Sequence, residues 1–173
     1  MTENTVIPED KSIIPVNATL FREGMSRLAA SVHLVTTGGP AGEAGMTATA
    51  VTSVTDMPPT LLVCINSSSR SYKVLESNGV FAVNVLAPSD TKIADIFAGR
   101  GDISWEERFN IGEWSPLETG APVLSSALVS FDCRVSGTST VSSHKVVFGE
   151  VVAVYLGKPG EALTYYERRY RSL

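Results

Sequence analysis

Between Gly45 and Ser71 the chain reads GMTATAVTSVTDMPPTLLVCINSSSRS, a stretch better suited to holding a ligand than to filling a core. Thr47, Ala48, Thr49, Ala50, Val51, Thr52 and Ser53 mix small, hydroxyl and β-branched side chains, which suits an extended strand. A planar heteroaromatic ring with carbonyl and imide edges can pair with backbone N–H and C=O groups along such a strand. Alanine at 48 and 50 lets that ring come close. After the break at Asp56–Pro59, Thr60 to Ile65 reads as a buried strand running into Asn66, Ser67, Ser68, Ser69, Arg70 and Ser71. The serines, with the N–H groups that open a following helix, can hold a phosphate, and Arg70 can add charge. The same residues also fit an ordinary Thr/Ser-rich strand followed by a serine turn.

Other candidates are sparse. His144 stands where a β-rich run begins and could donate a hydrogen bond or a proton beside a redox centre. Tyr165, Tyr166 and Tyr170, interleaved with Arg168, Arg169 and Arg171, could stack on and pair with a nucleotide, or dock across a neighbouring subunit. Neither Cys64 nor Cys133 neighbours a histidine, no GxSxG is present, and paired carboxylates are absent. An enzyme built from this sequence therefore takes its reactive atoms from a cofactor. With His33 and His144 as the only histidines, a His-rich metal site is excluded. Gly38 to Glu43 fits neither GxGxxG nor GxxxxGK[ST] and reads as a hairpin loop. The tripeptide Arg100-Gly101-Asp102 is a chance match to a cell-adhesion motif.

The elements that must position these residues follow from pattern. At 173 residues the chain fits one domain, residues 17–173, behind an N-terminal arm of residues 1–16. Hydrophobic residues make up 43% and charged residues 18%, an apolar balance that points to a subunit interface. A net charge of −4 leaves no footprint for nucleic acid. No apolar run is long enough to span a bilayer and no leader is visible, so the expected location is cytoplasmic, with no membrane partner. Asn17 caps a helix whose Leu20, Phe21, Met25 and Leu28 are expected to cover one face of a sheet. Ser69 caps a second helix that ends at Asn78-Gly79, and Asp90 caps a third that ends at Gly99. Asn84 is a polar residue inside the apolar strand 80–86. Residues 102–120 form a loop anchored by Trp105, Phe109 and Trp114, and two long β-runs, 123–135 and 145–155, are joined by Ser136 to Thr140. The spacing predicts a mostly β class: six or seven antiparallel strands in a closed or nearly closed barrel, with two or three flanking helices over its ends.

Taken in order, these motifs resemble the short-chain flavin reductases, the reductase components of two-component flavin-dependent monooxygenases such as the 4-hydroxyphenylacetate 3-monooxygenase system. The resemblance rests on Phe21-Arg22, Val32 to Thr37, Gly45 to Ala50, Pro58-Pro59, Asn66 with the serine loop, Phe81 to Leu86, His144 with Gly149-Glu150-Val151, and Tyr165 to Arg171. It implies a split β-barrel homodimer that binds FMN or FAD near the subunit interface and oxidises NADH or NADPH, hydride passing from nicotinamide to flavin N5. By position it implies that Thr47 to Ser53 hold the isoalloxazine edge and Asn66 to Ser71 the ribityl phosphate. Asn84, Ala98 and Gly99 would lie near the flavin, and His144, Tyr166 and Arg168 would face the nicotinamide nucleotide. No basic pocket for a 2′-phosphate is visible beyond Arg168–Arg171, which favours NADH. Reduced flavin would serve a partner monooxygenase. Alternatively, a tightly held flavin would reduce a docked acceptor such as a cobalt corrinoid or a ferric chelate. A flavin- or haem-binding barrel without turnover is a third reading, against which His144 and the Tyr/Arg tail argue.

Overall fold

The structure, a computed structural model, describes residues 15–173; the arm assigned to residues 1–16 lies almost wholly outside the described residues. Asn17 caps α1 (Ala18–Ser26), its side-chain oxygen accepting from Thr19 N and Leu20 N at 3.0 and 2.9 Å. Next come β1 (Ala30–Ser31), β2 (His33–Thr37), β3 (Ala44–Ala48), β4 (Val51–Asp56) and β5 (Pro59–Asn66). The chain continues through α2 (Arg70–Asn78), β6 (Val80–Val85), α3 (Thr91–Phe97), β7 (Trp114–Pro116) and β8 (Pro122–Leu124). It closes with β9 (Val129–Val141), β10 (His144–Leu156), β11 (Leu163–Tyr166) and β12 (Arg169–Ser172). The class is mostly β with three α-helices among the described residues.

Seven strands form one antiparallel sheet in the order β3-β2-β6-β9-β10-β5-β4. Its two edge strands, β3 and β4, are neighbours in sequence, separated only by Thr49 and Ala50. Val51 N–H donates to Thr49 O at 3.0 Å, a local bond that turns the chain out of one strand and into the next. The sheet therefore coils back on itself, yet no ladder pairs β3 with β4. Among the described residues the sheets are not closed, so of the closed or nearly closed barrel expected, the closed form is excluded. The extended strand expected through Thr47 to Ser53 is broken by the same bend. The C-terminal hairpin β11–β12 pairs with β1, and β7 with β8.

Two apolar clusters hold the sheet and helices together. Val35, Val63, Ile65 and Phe81 pack with Tyr72 and Leu75 of α2. Val32, Leu34 and Leu86 pack with Ile93, Ile96 and Phe97 of α3. Three further expectations change. Helix α1 covers no sheet face: none of its residues is buried, Phe21 and Met25 are 59% and 48% exposed, and Leu28 just beyond its end is 58% exposed. Its attachments are polar instead, Arg168 Nη2 to Glu23 Oε2 at 2.8 Å and Glu167 N to Ser26 O at 2.7 Å. Ser136 to Thr140 continue β9, and the turn falls at Ser142-Ser143, where Ser142 has φ 52°. Threonine and serine there read as turn formers, but continuous pairing with β10 keeps them extended. Among the described residues the strand count rises to twelve because β1, β7, β8, β11 and β12 have only two to four residues, too few to show a period.

Asn84 is also placed differently. It is 0% exposed and donates to Leu34 O and Thr36 Oγ1 at 3.0 and 3.2 Å. Its oxygen accepts from Leu124 N and Ser130 Oγ at 2.9 and 2.8 Å. All four bonds lie inside the protein, so this side chain ties β2, β8 and β9 to β6 and has no capacity left for a ligand. Asn84→Ala orphans these partners. It should lower the unfolding free energy by about 1–3 kcal/mol in chemical denaturation; an unchanged midpoint and slope would refute the structural role.

Candidate functional site

The bend between β3 and β4 forms the floor of a trough. Thr47 Oγ1 donates to Ala94 O of α3 at 2.6 Å and fixes the strand against that helix. Thr47, Ala48 and Thr49, with Ala98, Arg100 and Tyr170, line a cavity of about 160 Å³. A larger groove of about 550 Å³ runs from Thr49 and Ala50 to the apolar side of α1, where Phe21, Met25 and Leu28 form its wall. The smaller cavity alone falls below the roughly 300–1,000 Å³ usual for small-molecule sites. Thr49 and Tyr165 line both, so together they make a continuous trough of adequate size.

One end of the trough is aromatic and cationic. The Tyr165 and Tyr170 rings meet edge to face at 5.6 Å, and Arg100 Cζ lies 5.8 Å from the Tyr170 centroid. Hydrogen bonds to Asp95, at 2.9 Å, and to Tyr165 hold the Arg100 guanidinium above its ordinary pKa. Burial raises the Tyr170 phenol. Sequence reading gave Arg100 no role, because an arginine after a helix end has no pattern that predicts a pocket wall.

The serine loop lies beyond the start of β3, joined to it by Ser71 Oγ donating to Gly45 O at 2.9 Å. Its hydroxyls are largely engaged in shaping the loop. Ser67 Oγ donates to Ser143 O and Ser68 Oγ to Asn66 Oδ1. Ser69 Oγ accepts from Tyr72 N at 3.1 Å as the cap of α2, which leaves its own hydrogen free to donate. Arg70 is paired with Glu106 at 3.0 Å.

The residues assigned to a nicotinamide nucleotide separate within one chain. His144 is exposed, pairs across the sheet with Asn66, and has Nδ1 3.0 Å from Ser143 Oγ; it belongs with the serine loop. Tyr166 and Arg168 lie in the turn region of the C-terminal hairpin beside α1. Glu167 and Arg168 both have positive φ, 48° and 61°, as a two-residue hairpin turn requires. That turn aims Arg168 at Glu23, whose carboxyl is held below its usual value, chiefly by the hydrogen bond from Arg168.

The bend also divides the hydroxyl strand. Val51, Thr52 and Ser53 line a different cavity of about 370 Å³ with Phe131 and the buried His33. Burial pushes the His33 imidazole below its ordinary value, and its Nδ1 has no partner. Ala98 lies in the trough wall, while Gly99 follows it with φ 80°, the left-handed turn that ends α3.

Comparison with known proteins matches this arrangement to one family. The model for the flavin reductase like domain matches residues 25–173. The chain is 51% identical over 164 residues to FMN reductase (NADH) RutF 1 of Methylorubrum extorquens, covering 95% of this chain and 81% of that protein. It is 45% identical to FMN reductase (NADH) RutF of Stutzerimonas stutzeri, covering 92% and 90%. Among solved structures, BorF, the flavin reductase component of a bacterial two-component tryptophan halogenase, superposes with a TM-score of 0.82 at 29% identity, covering 91% of this chain and 98% of that one. Flavin reductase PheA2 superposes with a TM-score of 0.83 at 26% identity, covering 91% and 99%. The chain belongs to the flavin reductase-like domain family.

Proposed function

We propose that this protein is an NADH-dependent FMN reductase whose flavin lies in the trough at the β3–β4 bend. The observation that carries the reading is the trough itself: small residues on its floor, tyrosines and Arg100 on its wall. Relatives named FMN reductase (NADH), about half identical to this chain, support the choice of FMN and NADH. The residues present fit a flavin. Ala48 and Ala98 leave room for a flat ring, and the strand edge offers N–H and C=O groups to its heteroatoms. When bound, the flavin accepts a hydride from NADH.

The chain's own residues bind and orient. Thr47 to Ala50 seat the ring, the start of α2 receives the phosphate, and Tyr165 and Tyr170 shield the trough from water. Thr52 and Ser53, on the far side of the bend, support the strand and do not touch the ring. Across the homodimer, His144 of one chain and Tyr166 with Arg168 of the other meet the nicotinamide nucleotide. The coiled sheet is a split β-barrel, and the protein is a homodimer, since the apolar face of α1 has no cover among the described residues. Reduced FMN then serves a partner monooxygenase, as suits a chain whose structural relatives include a two-component halogenase reductase. No helix of the described residues is long and apolar enough to cross a membrane.

The purified protein should bind FMN and consume NADH in an FMN-dependent way, read as loss of nicotinamide absorbance. Absence of both flavin binding and flavin-dependent NADH loss would remove the proposal. Light scattering at micromolar concentration should give twice the mass of the 18.4 kDa chain; a monomer would overturn the dimer. His144→Ala should slow reduction of bound FMN by NADH in stopped flow by roughly 10²-fold, with FMN affinity unchanged. An unaltered rate would show that His144 does not serve the reaction.

A further inference from the structure

The C-terminal hairpin and α1 enclose a further cavity, of about 430 Å³, beside the trough. It is lined by Arg27, Arg168 and Arg169, by Glu23 and Glu167, and by Tyr166. Ser26 and Arg168 line both this cavity and the larger groove of the trough, so the two are continuous. The groove is walled by the apolar side of α1, whereas the cavity offers charge. A ligand that spans both needs an apolar body at one end and hydroxyl or anionic groups at the other.

One carboxylate organises the cations of the cavity. Glu23 Oε2 accepts from Arg168 Nη2 at 2.8 Å, and its Oε1 lies 3.6 Å from Arg27 Nη2. The bond from Arg168, chiefly, holds the Glu23 carboxyl below its ordinary value, so it stays ionised at neutral pH. Among the described residues Glu167 pairs with none of the three arginines, and Arg169 has no acid partner. Each oxygen of an ionised carboxylate accepts more than one hydrogen bond, so Glu23 keeps lone pairs for a hydroxyl. It has nothing to offer a second anion. A phosphate placed against it meets a like charge, and the two arginines that would neutralise that phosphate are already shared with the carboxylate.

We infer that this cavity takes the adenosine end of the nicotinamide nucleotide and that Glu23 makes the protein select NADH over NADPH. The inference rests on the reductase reading above, in which Tyr166 and Arg168 meet that nucleotide. Glu23 accepts from the ribose 2′-hydroxyl of NADH, and its charge repels the 2′-phosphate that replaces this hydroxyl in NADPH. Arg169 serves the phosphates that both dinucleotides share. In the sequence, Arg168 to Arg171 form the one basic run fit for a 2′-phosphate. The fold closes that place by bringing Glu23, 145 residues earlier, onto Arg168.

The test compares wild type with Glu23→Gln and Glu167→Gln. Two quantities are read: kcat/KM for NADPH relative to NADH with FMN supplied, and the affinity of the flavin-free protein for adenosine 2′,5′-bisphosphate and for 5′-AMP. Wild type should favour NADH. Glu23→Gln keeps an acceptor and loses the charge, and because no residue of α1 is buried it leaves the core intact. It should raise the NADPH-to-NADH ratio about 3- to 10-fold, a modest factor because the ion pairs are exposed. The bisphosphate should bind more tightly by a similar factor, and 5′-AMP by less. Glu167→Gln removes a charge from the same cavity without releasing an arginine, and should move the ratio less than about twofold. An unchanged ratio or an unchanged bisphosphate affinity in Glu23→Gln would overturn the inference. So would equal gains for the two dinucleotides, an equal gain from Glu167→Gln, or a wild type with no preference for NADH. Wild type consuming neither dinucleotide in the presence of FMN would instead overturn the proposed function itself.

Discussion

The trough is built around the bend at Thr49-Ala50, where Val51 N–H donates to Thr49 O and Cys64 N–H to Ala50 O, both at 3.0 Å. Because of that bend, residues 44–56 serve both edges of a seven-stranded sheet, pairing with β2 before it and with β5 after it. An edge strand carries backbone N–H and C=O groups that face no neighbour. Here the bend between those edges lines a trough between the end of α3 and α1. The bend also decides which hydroxyls can matter, because it turns Thr47 and Thr49 towards one cavity and Thr52 and Ser53 towards another.

Helix α1 shows how magnitudes decide between a helix that packs within its own chain and one that awaits cover. It is capped well by Asn17 and tied to the C-terminal hairpin by the Glu23–Arg168 pair. An exposed ion pair contributes about 0–1 kcal/mol, whereas burying one large apolar side chain contributes about 1.5–3 kcal/mol. Phe21, Met25 and Leu28 all leave that contribution unrealised in a single chain. The apolar stripe thus has more to gain from a second surface than the polar tether gives it. That imbalance is the physical basis for reading α1 as an interface element above the trough.

Much of this was legible in the sequence, and the misses have identifiable causes. Caps and chain breakers are local, so Asn17, Ser69 and Gly79 marked helix ends correctly. The strand beginning at His144 and the loop anchors Phe109 and Trp114 were equally readable, the two aromatic rings meeting at 5.1 Å. What failed was anything that depends on what lies opposite. The periodicity of α1 shows an apolar stripe but not whether this chain covers it. The family resemblance put Asn84 near the flavin, but a polar side chain in an apolar run needs partners, and four internal ones supply them. Arg100 and His33 carry no pattern at all; only their three-dimensional neighbours give them meaning.

The serine loop makes the same point in electrostatic terms. Four serines and an arginine read as a complete phosphate cradle, yet forming the loop engages most of what they offer. Of the four hydroxyls, only that of Ser69 keeps a hydrogen to donate, and Arg70 already has an acid partner. The loop's contribution is therefore shape: it delivers the start of α2, whose N–H groups favour an anion without charge of their own. Arg70, the one cation of the loop itself, is already paired with Glu106, so what the loop offers an anion is the N–H groups at the start of α2.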